Sequence, residues 1–307
     1  MNTLARSIAA VPPGWRAQAR SYLGLCKLRV VALIVFTAVV GMLLAVPGLP
    51  PAGLFVAATI GIGLAAAAAA ALNHVIDRHI DERMRRTCYR PLPLGSLSEA
   101  QALAFAAALG VASMAVLTLA VNLLTAALTF ATLIGYAVVY TAYLKHATPQ
   151  NIVLGGAAGA APPILGWAAM TGSVSPDALA LFLIVFVWTP PHFWALAIHR
   201  RDDYAAAGVP MLPVTHGVRL TRLHVLLYTV LLVAISAMPW LLRASGWIYL
   251  AAALALGAEF LRHAWRLWRG RDPRAPMATF RYSILYLSLL FGALLVDHYL
   301  GMVHPGL

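Results

Sequence analysis

Residues 64–93 read LAAAAAAALNHVIDRHIDERMRRTCYRPLP, and this stretch decides the kind of fold that the chain can adopt. Its first part is apolar enough to lie in lipid, yet Asn73, Asp77 and Asp81 follow at intervals of four residues. On a helix, steps of four residues keep side chains on one stripe, about 6 Å apart along the axis. The stretch therefore predicts a membrane helix whose end carries a row of polar and acidic side chains.

The composition of the whole chain is that of a polytopic membrane protein. Among 307 residues, 62% are hydrophobic and 10% are charged, whereas soluble domains carry about 25% charged residues. The mean hydropathy is +0.81. Apolar stretches of about 20 residues, each long enough to cross a bilayer as a helix, recur along the chain. We therefore predict an all-α fold, because backbone groups in lipid must be bonded within their own helix.

The sequence contains nine candidate membrane spans, although short links near residues 120 and 245 leave open an interpretation with fewer, longer spans. With the amino terminus inside, every one of the 22 basic residues except Arg243 falls in an inner segment. Short cytoplasmic loops collect lysine and arginine, so we predict an N-in/C-out topology. The nine spans cover roughly residues 30–47, 52–73, 98–119, 121–143, 151–170, 178–198, 223–242, 246–262 and 281–300.

This topology divides the chain into two regions. Residues 1–29 are predicted to form a cytoplasmic amino-terminal segment, and residues 30–303 a single transmembrane domain. Cytoplasmic cap loops are expected near residues 74–97 and 199–222. The amino-terminal segment is short for a mitochondrial presequence. We therefore expect a multi-pass protein of the cytoplasmic (inner) membrane of a cell, in preference to the mitochondrial inner membrane.

The positive charge does not indicate a nucleic-acid partner, and the two cysteines do not indicate a disulfide. The net charge of +12 follows from the topology and from attraction to anionic headgroups, so we predict a lipid bilayer and no nucleic acid as the partner of the basic residues. Cys26 and Cys88 both fall on the predicted inner side, where a disulfide is not expected.

The acidic row at the end of the second span requires a positive partner. Carboxylates four residues apart on a helix repel each other, and they are costly near lipid. A magnesium ion is one compensator, because it binds one or two carboxylates and fills its remaining positions with water and phosphate oxygens. Ordinary ion pairs at the headgroup level are the other, and their nearest candidates are Arg78, Arg83 and Arg85.

A second acidic cluster follows the sixth span. Asp202 and Asp203 lie at its predicted inner end, beside Arg200 and Arg201, and His199 is four residues before Asp203. Two carboxylate clusters at inner helix ends, each beside arginines, are typical of a site that binds a polyanion through metal ions. Arginine adds a bidentate fork for phosphate oxygens. The sequence thus favours a metal–diphosphate site over ordinary ion pairs.

Several segments of the chain resemble the UbiA superfamily of intramembrane prenyltransferases, and in particular its haem-farnesylating branch. The resemblance runs from about residue 22 to the end of the chain, and its most specific part is the last of the three segments quoted below. These segments are NHVIDRHID with RMRRTCYRPL, YTAYLKHATPQNIVLGGAAGAAPPILGW, and WTPPHFWALAIHRRDDYAAAGVPMLPV, at residues 73–92, 140–167 and 188–214.

The resemblance implies an architecture and a reaction. It implies nine transmembrane helices around a lipid-open central cavity, with both acidic motifs beneath short cytoplasmic loops. It also implies farnesyl diphosphate and haem B as substrates, haem O and diphosphate as products, and Mg²⁺ as the cofactor. A downstream haem-modifying enzyme or a terminal oxidase assembly would then receive the product.

The resemblance assigns the first acidic motif residue by residue and the second with a departure. The first motif of the superfamily maps onto Asn73, Asp77 and Asp81. The second is commonly D-x3-D, and here His199 and Asp203 occupy those positions, with Asp202 between them. His199 is therefore a candidate for either metal or haem. The first helix departs as well, since it reads CKLRV where TKPRV is expected, but its lysine and arginine remain.

Ionisation of an allylic diphosphate requires groups that stabilise the negative charge of the leaving group. We predict Asp77, Asp81, Asp203 and Lys145 as catalytic residues. The predicted metal ligands are Asn73, Asp77, Asp81, Asp202 and Asp203. The predicted diphosphate contacts are Asn73, Arg86, Arg90, Lys145, Arg200 and Arg201.

The farnesyl cation and the haem require apolar and aromatic surroundings. Aromatic faces stabilise cations, and histidine can ligate haem iron, although a packed histidine is the commoner case. The predicted haem or prenyl contacts are His192, His199, Trp188, Tyr140 and Tyr143. Gly155 and Gly159, spaced as G-x3-G, predict close helix packing.

Two other functions remain open from the residues alone. One is a related prenyltransferase that acts on an aromatic quinone precursor, which would keep the first motif and the metal. The other belongs to a different class, a transporter for an organic anion. All motif carboxylates fall at one predicted membrane face, which favours an enzyme over a transporter.

Overall fold

The computed structural model describes residues 14–84 and 86–303. Within these ranges all regular secondary structure is helical, which confirms the predicted all-α fold. The first half contains α1 (Trp15–Leu25), α2 (Leu28–Leu44), α3 (Ala52–Ile76), α4 (Arg78–Arg83), α5 (Glu99–Ala120) and α6 (Leu123–Ile134). A π-helix, π1 (Gly135–Leu144), continues α6 and leads into α7 (Lys145–Ala147).

The second half begins with two short helices that meet at a pair of prolines, α8 (Asn151–Ala160) and α9 (Pro162–Thr171). The long helix α10 (Pro176–His199) follows, and Pro190 and Pro191 lie within it without ending it. The remaining helices are α11 (Arg201–Ala206), α12 (Leu212–Thr215), α13 (Gly217–Ile235), α14 (Met238–Leu241), α15 (Trp247–Arg269) and α16 (Ala275–Val303).

Seven helical segments in the described part of the chain are long and apolar enough to cross a membrane, and a bent pair raises the number to eight. The bent pair is α1 with α2, which meet at 51°. Helix α15, which contains the eighth predicted span, is not among them, because Glu259, Arg262 and Arg266 interrupt its apolar sequence. The count of nine therefore stays a prediction.

The helices pack around buried aromatic and aliphatic side chains. The largest buried cluster joins α10, α13, α15 and α16, and it includes Trp188, Tyr249, Phe260, Tyr286 and Phe291. Helices α2 and α9 approach each other at the level of their backbones. A Cβ atom added to Gly166 would lie 2.0 Å from the carbonyl oxygen of Ala38, so this crossing accepts glycine alone.

The π-helix changes the direction of side chains within the fourth span. Its hydrogen bonds join residues five apart, and such segments occur mostly at functional sites. The Thr141 hydroxyl donates to the Tyr136 carbonyl oxygen at 2.8 Å, which matches this spacing of five. Apart from Gly135 at its first position, no glycine or proline in the segment marks it in the sequence, and it was not predicted. Lys145 follows immediately after it.

Candidate functional site

The predicted acidic row is present at the end of α3 and is buried. Asp77 lies between α3 and α4 with φ −82° and ψ 0°, so the chain keeps a helical path there. Its N–H donates to the Asn73 carbonyl at 3.0 Å, and its own carbonyl accepts from the Asp81 N–H at 2.9 Å. Asn73, Asp77 and Asp81 are each less than 5% exposed. Buried carboxylates require partners, because desolvation penalises an unpaired charge.

Two cations from distant segments of the chain pair with these carboxylates. The Lys145 Nζ lies 2.6 Å from Asp77 Oδ2, and an Arg90 guanidinium nitrogen lies 2.6 Å from Asp81 Oδ2. Both cations were predicted as diphosphate contacts, and the structure brings them to the first acidic row. Their pairing with the carboxylates was not predicted, because it depends on the tertiary fold.

The arginines closest in sequence do not form these pairs. Arg78 pairs with Glu99 at 3.2 Å, and Arg83 is exposed. Arg85 lies outside the described residues. The carboxylates of the row are therefore ion-paired, but by cations 9 and 68 residues further along the chain and not by Arg78 or Arg83.

A third cation, Lys27, completes the row and was not predicted as a site residue. Lys27 precedes α2 with a left-handed backbone of φ 47°, and its Nζ donates to Asn73 Oδ1. The Asn73 amide nitrogen donates to Asp77 Oδ2 at 2.9 Å and to Thr141 Oγ1 at 3.3 Å. The signal in the sequence was a lysine at the inner end of the first span, but nothing local linked it to Asn73.

We call residues 73–90, which carry the acidic row, the first acidic segment, and residues 199–209 the second. The acidic side chains of the second segment are more exposed to solvent than those of the first. Asp203 is partly buried, and one of its oxygens lies 3.6 Å from an Arg200 guanidinium nitrogen. Asp202, Arg201 and His199 are exposed. Asp203 is therefore the carboxylate of this segment that has a defined partner.

The two segments pack against each other through apolar side chains. Ile80 and Met84, from the first segment, belong to the same buried cluster as Tyr204 and Val209, from the second. The Tyr204 phenol lies within electrostatic range of Arg86, Arg90, Arg200 and Asp203. Burial raises the pKa of Tyr204, so its hydroxyl keeps its proton at neutral pH and remains a hydrogen-bond donor.

The donor set at the end of α3 suits a hard divalent cation. Asn73, Asp77 and Asp81 offer oxygen atoms, which are the ligands that Mg²⁺ prefers. Asp77 Oδ1 is buried and has no hydrogen-bond partner, so one carboxylate oxygen is free for a cation. In the described ranges, no three His, Cys, Asp or Glu side chains converge as metal ligands, so the asparagine and substrate oxygens would have to contribute.

Two other predicted residues, Trp188 and His192, lie together in a buried aromatic group. The imidazole stacks on Trp188 at 4.3 Å and on Phe280 at 4.6 Å between ring centroids. Its Nδ1 lies 2.7 Å from the Ser283 hydroxyl, and the Trp188 indole donates to the Ser283 carbonyl at 2.7 Å. The structure thus fixes the ring plane of His192. Ser283 was missed in the sequence, where it is one apolar-span serine among several.

The predicted tyrosines have different environments. The Tyr140 ring lies 5.6 Å from that of Tyr136 between centroids, and its hydroxyl is within electrostatic range of Asp77 and Tyr204. Tyr143 is 68% exposed, and no described contact joins it to the other site residues. The other histidines near the inner end also differ: His146 is exposed, and both ring nitrogens of His74 are buried without a partner.

The two glycines of the G-x3-G pair have different roles. A Cβ atom on Gly155 would lie 2.0 Å from the Tyr140 ring, whereas one on Gly159 would meet nothing within 4 Å. Close packing at Gly155 is confirmed, but it is packing against a site residue. The expectation of close packing at Gly159 was wrong.

We expect Gly155→Ala to lower the rate of product formation about tenfold, because its methyl group must displace the Tyr140 ring. Gly159→Ala is the matched control, four residues away on the same helix, and should stay within twofold of the unmodified protein. Initial rates of the purified variants in detergent measure both. Equal rates for the two variants would contradict a role for the Tyr140 position.

Comparison with known proteins identifies similar sequences over almost the whole chain. The UbiA prenyltransferase family matches residues 34–290. The protoheme IX farnesyltransferase of Methylococcus capsulatus is 62% identical over 281 residues, 92% of this chain and 94% of its own length. The enzyme of the same name from Hahella chejuensis is 58% identical over 299 residues, 97% of this chain and 98% of its own length.

Solved structures share the fold at low sequence identity. A digeranylgeranylglyceryl phosphate synthase has a TM-score of 0.77 at 17% identity, covering 92% of this chain and 98% of its own. A UbiA homologue from Archaeoglobus fulgidus, bound to DMAPP and Mg²⁺, has a TM-score of 0.63 at 18% identity, covering 89% of this chain and 99% of its own. At these identities the likeness concerns the fold alone.

Proposed function

The chain belongs to the UbiA prenyltransferase family, and we propose that it transfers the farnesyl group of farnesyl diphosphate to a vinyl group of haem B. The products are haem O and diphosphate. Relatives with 62% and 58% identity over nearly their full length bear the name protoheme IX farnesyltransferase. The structural observation that carries the proposal is the buried row of Asn73, Asp77 and Asp81 with Lys145 and Arg90 paired to it.

The proposed topology has nine spans with the amino terminus inside and the carboxyl terminus outside. Helix α15 is proposed to cross the membrane although its second half is charged. The side chains of Arg262, Arg266 and Arg269 can extend to the inner headgroups. The distribution of basic residues supports this orientation. It puts both acidic segments at the cytoplasmic face of a cell's inner membrane, where farnesyl diphosphate is available as a soluble anion with an apolar tail.

We assign the cofactor as Mg²⁺, held by oxygen atoms of Asn73, Asp77 and Asp81 in the first segment and of Asp202 and Asp203 in the second. When bound, the metal would neutralise the diphosphate as it leaves. The free Oδ1 of Asp77 and the oxygen-only donor set support this assignment.

The basic residues of the site would hold the phosphate oxygens. Lys145 begins α7 and Arg90 lies between α4 and α5, and each pairs with a different carboxylate of the acidic row. Arg86 and Arg200, one from each segment, lie within electrostatic range of the Tyr204 phenol, and Arg201, next to Arg200 in the chain, is exposed. Positive groups fixed in place before the reaction stabilise the developing charge without reorganising, and such preorganised charges are usually the largest catalytic contribution.

The carbon chemistry needs shielding and positioning more than it needs acid or base. The C–O bond of farnesyl diphosphate breaks with its electron pair leaving on diphosphate, and the haem vinyl group attacks the farnesyl carbon. The new cation on the vinyl side takes hydroxide from water, and the proton is released to solvent. The aromatic faces of Tyr140 and Trp188 would stabilise the cations, and His192, fixed by its stacking partners, would contact the haem.

Incubation of the purified protein with Mg²⁺, farnesyl diphosphate and either haem B or 4-hydroxybenzoate tests the proposal. We expect haem O by mass spectrometry with haem B, no prenylated benzoate, and loss of the product when EDTA removes the metal. A prenylated benzoate without haem O would instead assign the enzyme to quinone synthesis. Uptake of farnesyl diphosphate into vesicles without any product would identify a transporter.

A further inference from the structure

The orientation of the Asn73 amide is set by a residue that the proposed chemistry does not use. Thr141 is fully buried, and its hydroxyl donates its one proton to the Tyr136 carbonyl. A hydroxyl has a single proton and two lone pairs, so Thr141 Oγ1 can act toward Asn73 only as an acceptor. The Asn73 side chain must therefore turn its NH₂ group toward Thr141, which it does at 3.3 Å.

This orientation leaves the Asn73 carbonyl oxygen facing the cationic side of the site, where Lys27 donates to it. The opposite orientation would present an NH₂ group to the cation and an oxygen to the Asp77 carboxylate, and both contacts would be repulsive. An asparagine can support a cation only through its oxygen. The orientation of this amide thus decides whether Asn73 can present its oxygen to a cation bound at the acidic row.

The π-helix makes the Thr141 contact available. In an α-helix the threonine hydroxyl bonds the carbonyl four residues back, but in π1 it bonds the carbonyl five residues back. The widened turn also changes which residues share a face. At 100° per residue, Tyr136 and Lys145 would lie on opposite sides of an α-helix, whereas at roughly 82° per residue in a π-helix they lie on the same side.

We infer that Thr141, presented by the π-helix, is a positioning residue for the metal–diphosphate site, acting through the orientation of the Asn73 amide. The inference rests on the proposed function, because the cation that Asn73 would face is the one assigned there. Lys27 and Asp77 also contact Asn73, but both are charged groups that metal and diphosphate would engage. Thr141 is neutral and bonded to the backbone, so it holds the amide whatever those groups bind.

The test measures Mg²⁺-dependent binding of farnesyl thiodiphosphate, a poorly reactive analogue, by isothermal titration calorimetry. We expect Thr141→Val to weaken analogue binding about tenfold and to raise the Mg²⁺ concentration required for half-saturation by a similar factor. Thr141→Ser keeps the hydroxyl and should stay within threefold. Thr129→Val is the matched control: Thr129 is also buried on this span, its Oγ1 has no partner, and binding should be unchanged.

A double-mutant cycle identifies the residue through which Thr141 acts. In an Asn73→Ala background the amide is absent, so Thr141→Val should change binding by less than twofold. Non-additivity of this kind reports energetic coupling between two residues. A merely structural threonine would weaken binding equally in both backgrounds.

The outcomes separate the inference from the function on which it rests. If the unmodified protein does not bind the analogue, the proposed function fails. If it binds and Thr141→Val binds as well as Thr129→Val, the positioning role is overturned, and equal losses for the Val and Ser variants overturn it too. Should Thr141→Val not fold, the comparison of Thr141→Ala with Thr141→Ser decides on the same criteria.

Discussion

Replacing Asp77 by asparagine is expected to lower the rate of haem O formation by about a thousandfold. The substitution removes a buried carboxylate that the site needs for its cation, and loss of ~10³ in rate corresponds to about 4 kcal/mol of transition-state stabilisation. Initial rates measured by mass spectrometry of the haem products give the result. A fall of less than tenfold would show that the end of α3 is not the reaction site.

Controls must separate lost chemistry from lost stability, because Asp77→Asn leaves the Lys145 ammonium largely buried without its carboxylate. Removing one partner of a buried pair destabilises a protein by about 3–5 kcal/mol. The double variant Asp77→Asn with Lys145→Met removes both charges, and we expect it to recover thermal stability while remaining inactive. Asp272 is exposed in the loop between α15 and α16, and Asp272→Asn should leave the rate within twofold.

The second large effect is expected at the other acidic segment, where Asp203→Asn should lower the rate about a hundredfold. Asp203 is partly buried and paired with Arg200, so its carboxylate has a fixed position from which to support the diphosphate and its metal. The neighbouring Asp202 is exposed, so we expect it to be the weaker of the two metal ligands, and Asp202→Asn should lower the rate less than fivefold. Rates at saturating and limiting farnesyl diphosphate, with the Mg²⁺ concentration varied, measure both variants.

This neighbouring pair is its own matched control, since the two residues have the same side chain, helix and charge. A larger loss at Asp202 than at Asp203 would mean that the segment turns its other face to the substrate. If both variants lost little activity, the metal would be bound by the first acidic segment alone, and Asp202 and Asp203 would not be catalytic residues.

The parts of the fold and site that the sequence predicts are those with local causes. The apolar stretches predict helices because lipid leaves the backbone no other partner. The row of Asn73, Asp77 and Asp81 follows from a period of four residues, which a helix converts into a stripe whatever surrounds it. The structure confirms both, and the family matches the reaction expected from the longer motifs.

The parts that the sequence does not predict are those decided between distant segments. Lys145 and Arg90 were among several basic candidates, and their pairing with Asp77 and Asp81 depends on where two distant segments fold. Nothing in residues 136–144 interrupts an α-helical pattern. The Tyr140 ring of π1 packs directly against Gly155 of α8. This tertiary contact accompanies the change from α-helix to π-helix.

The salt links of Lys145 and Arg90 have a consequence for the order in which ligands can enter. Magnesium alone would displace an ammonium and a guanidinium that then have no counterion, and pyrophosphate alone would draw those cations away from two carboxylates. Arriving together, the metal takes the carboxylates and the anion takes the cations, so no charge is left unmatched. Metal and diphosphate should accordingly bind with positive heterotropic cooperativity, each raising the affinity for the other by the same factor. The site would then bind magnesium or pyrophosphate weakly when either is alone and tightly only when both are present.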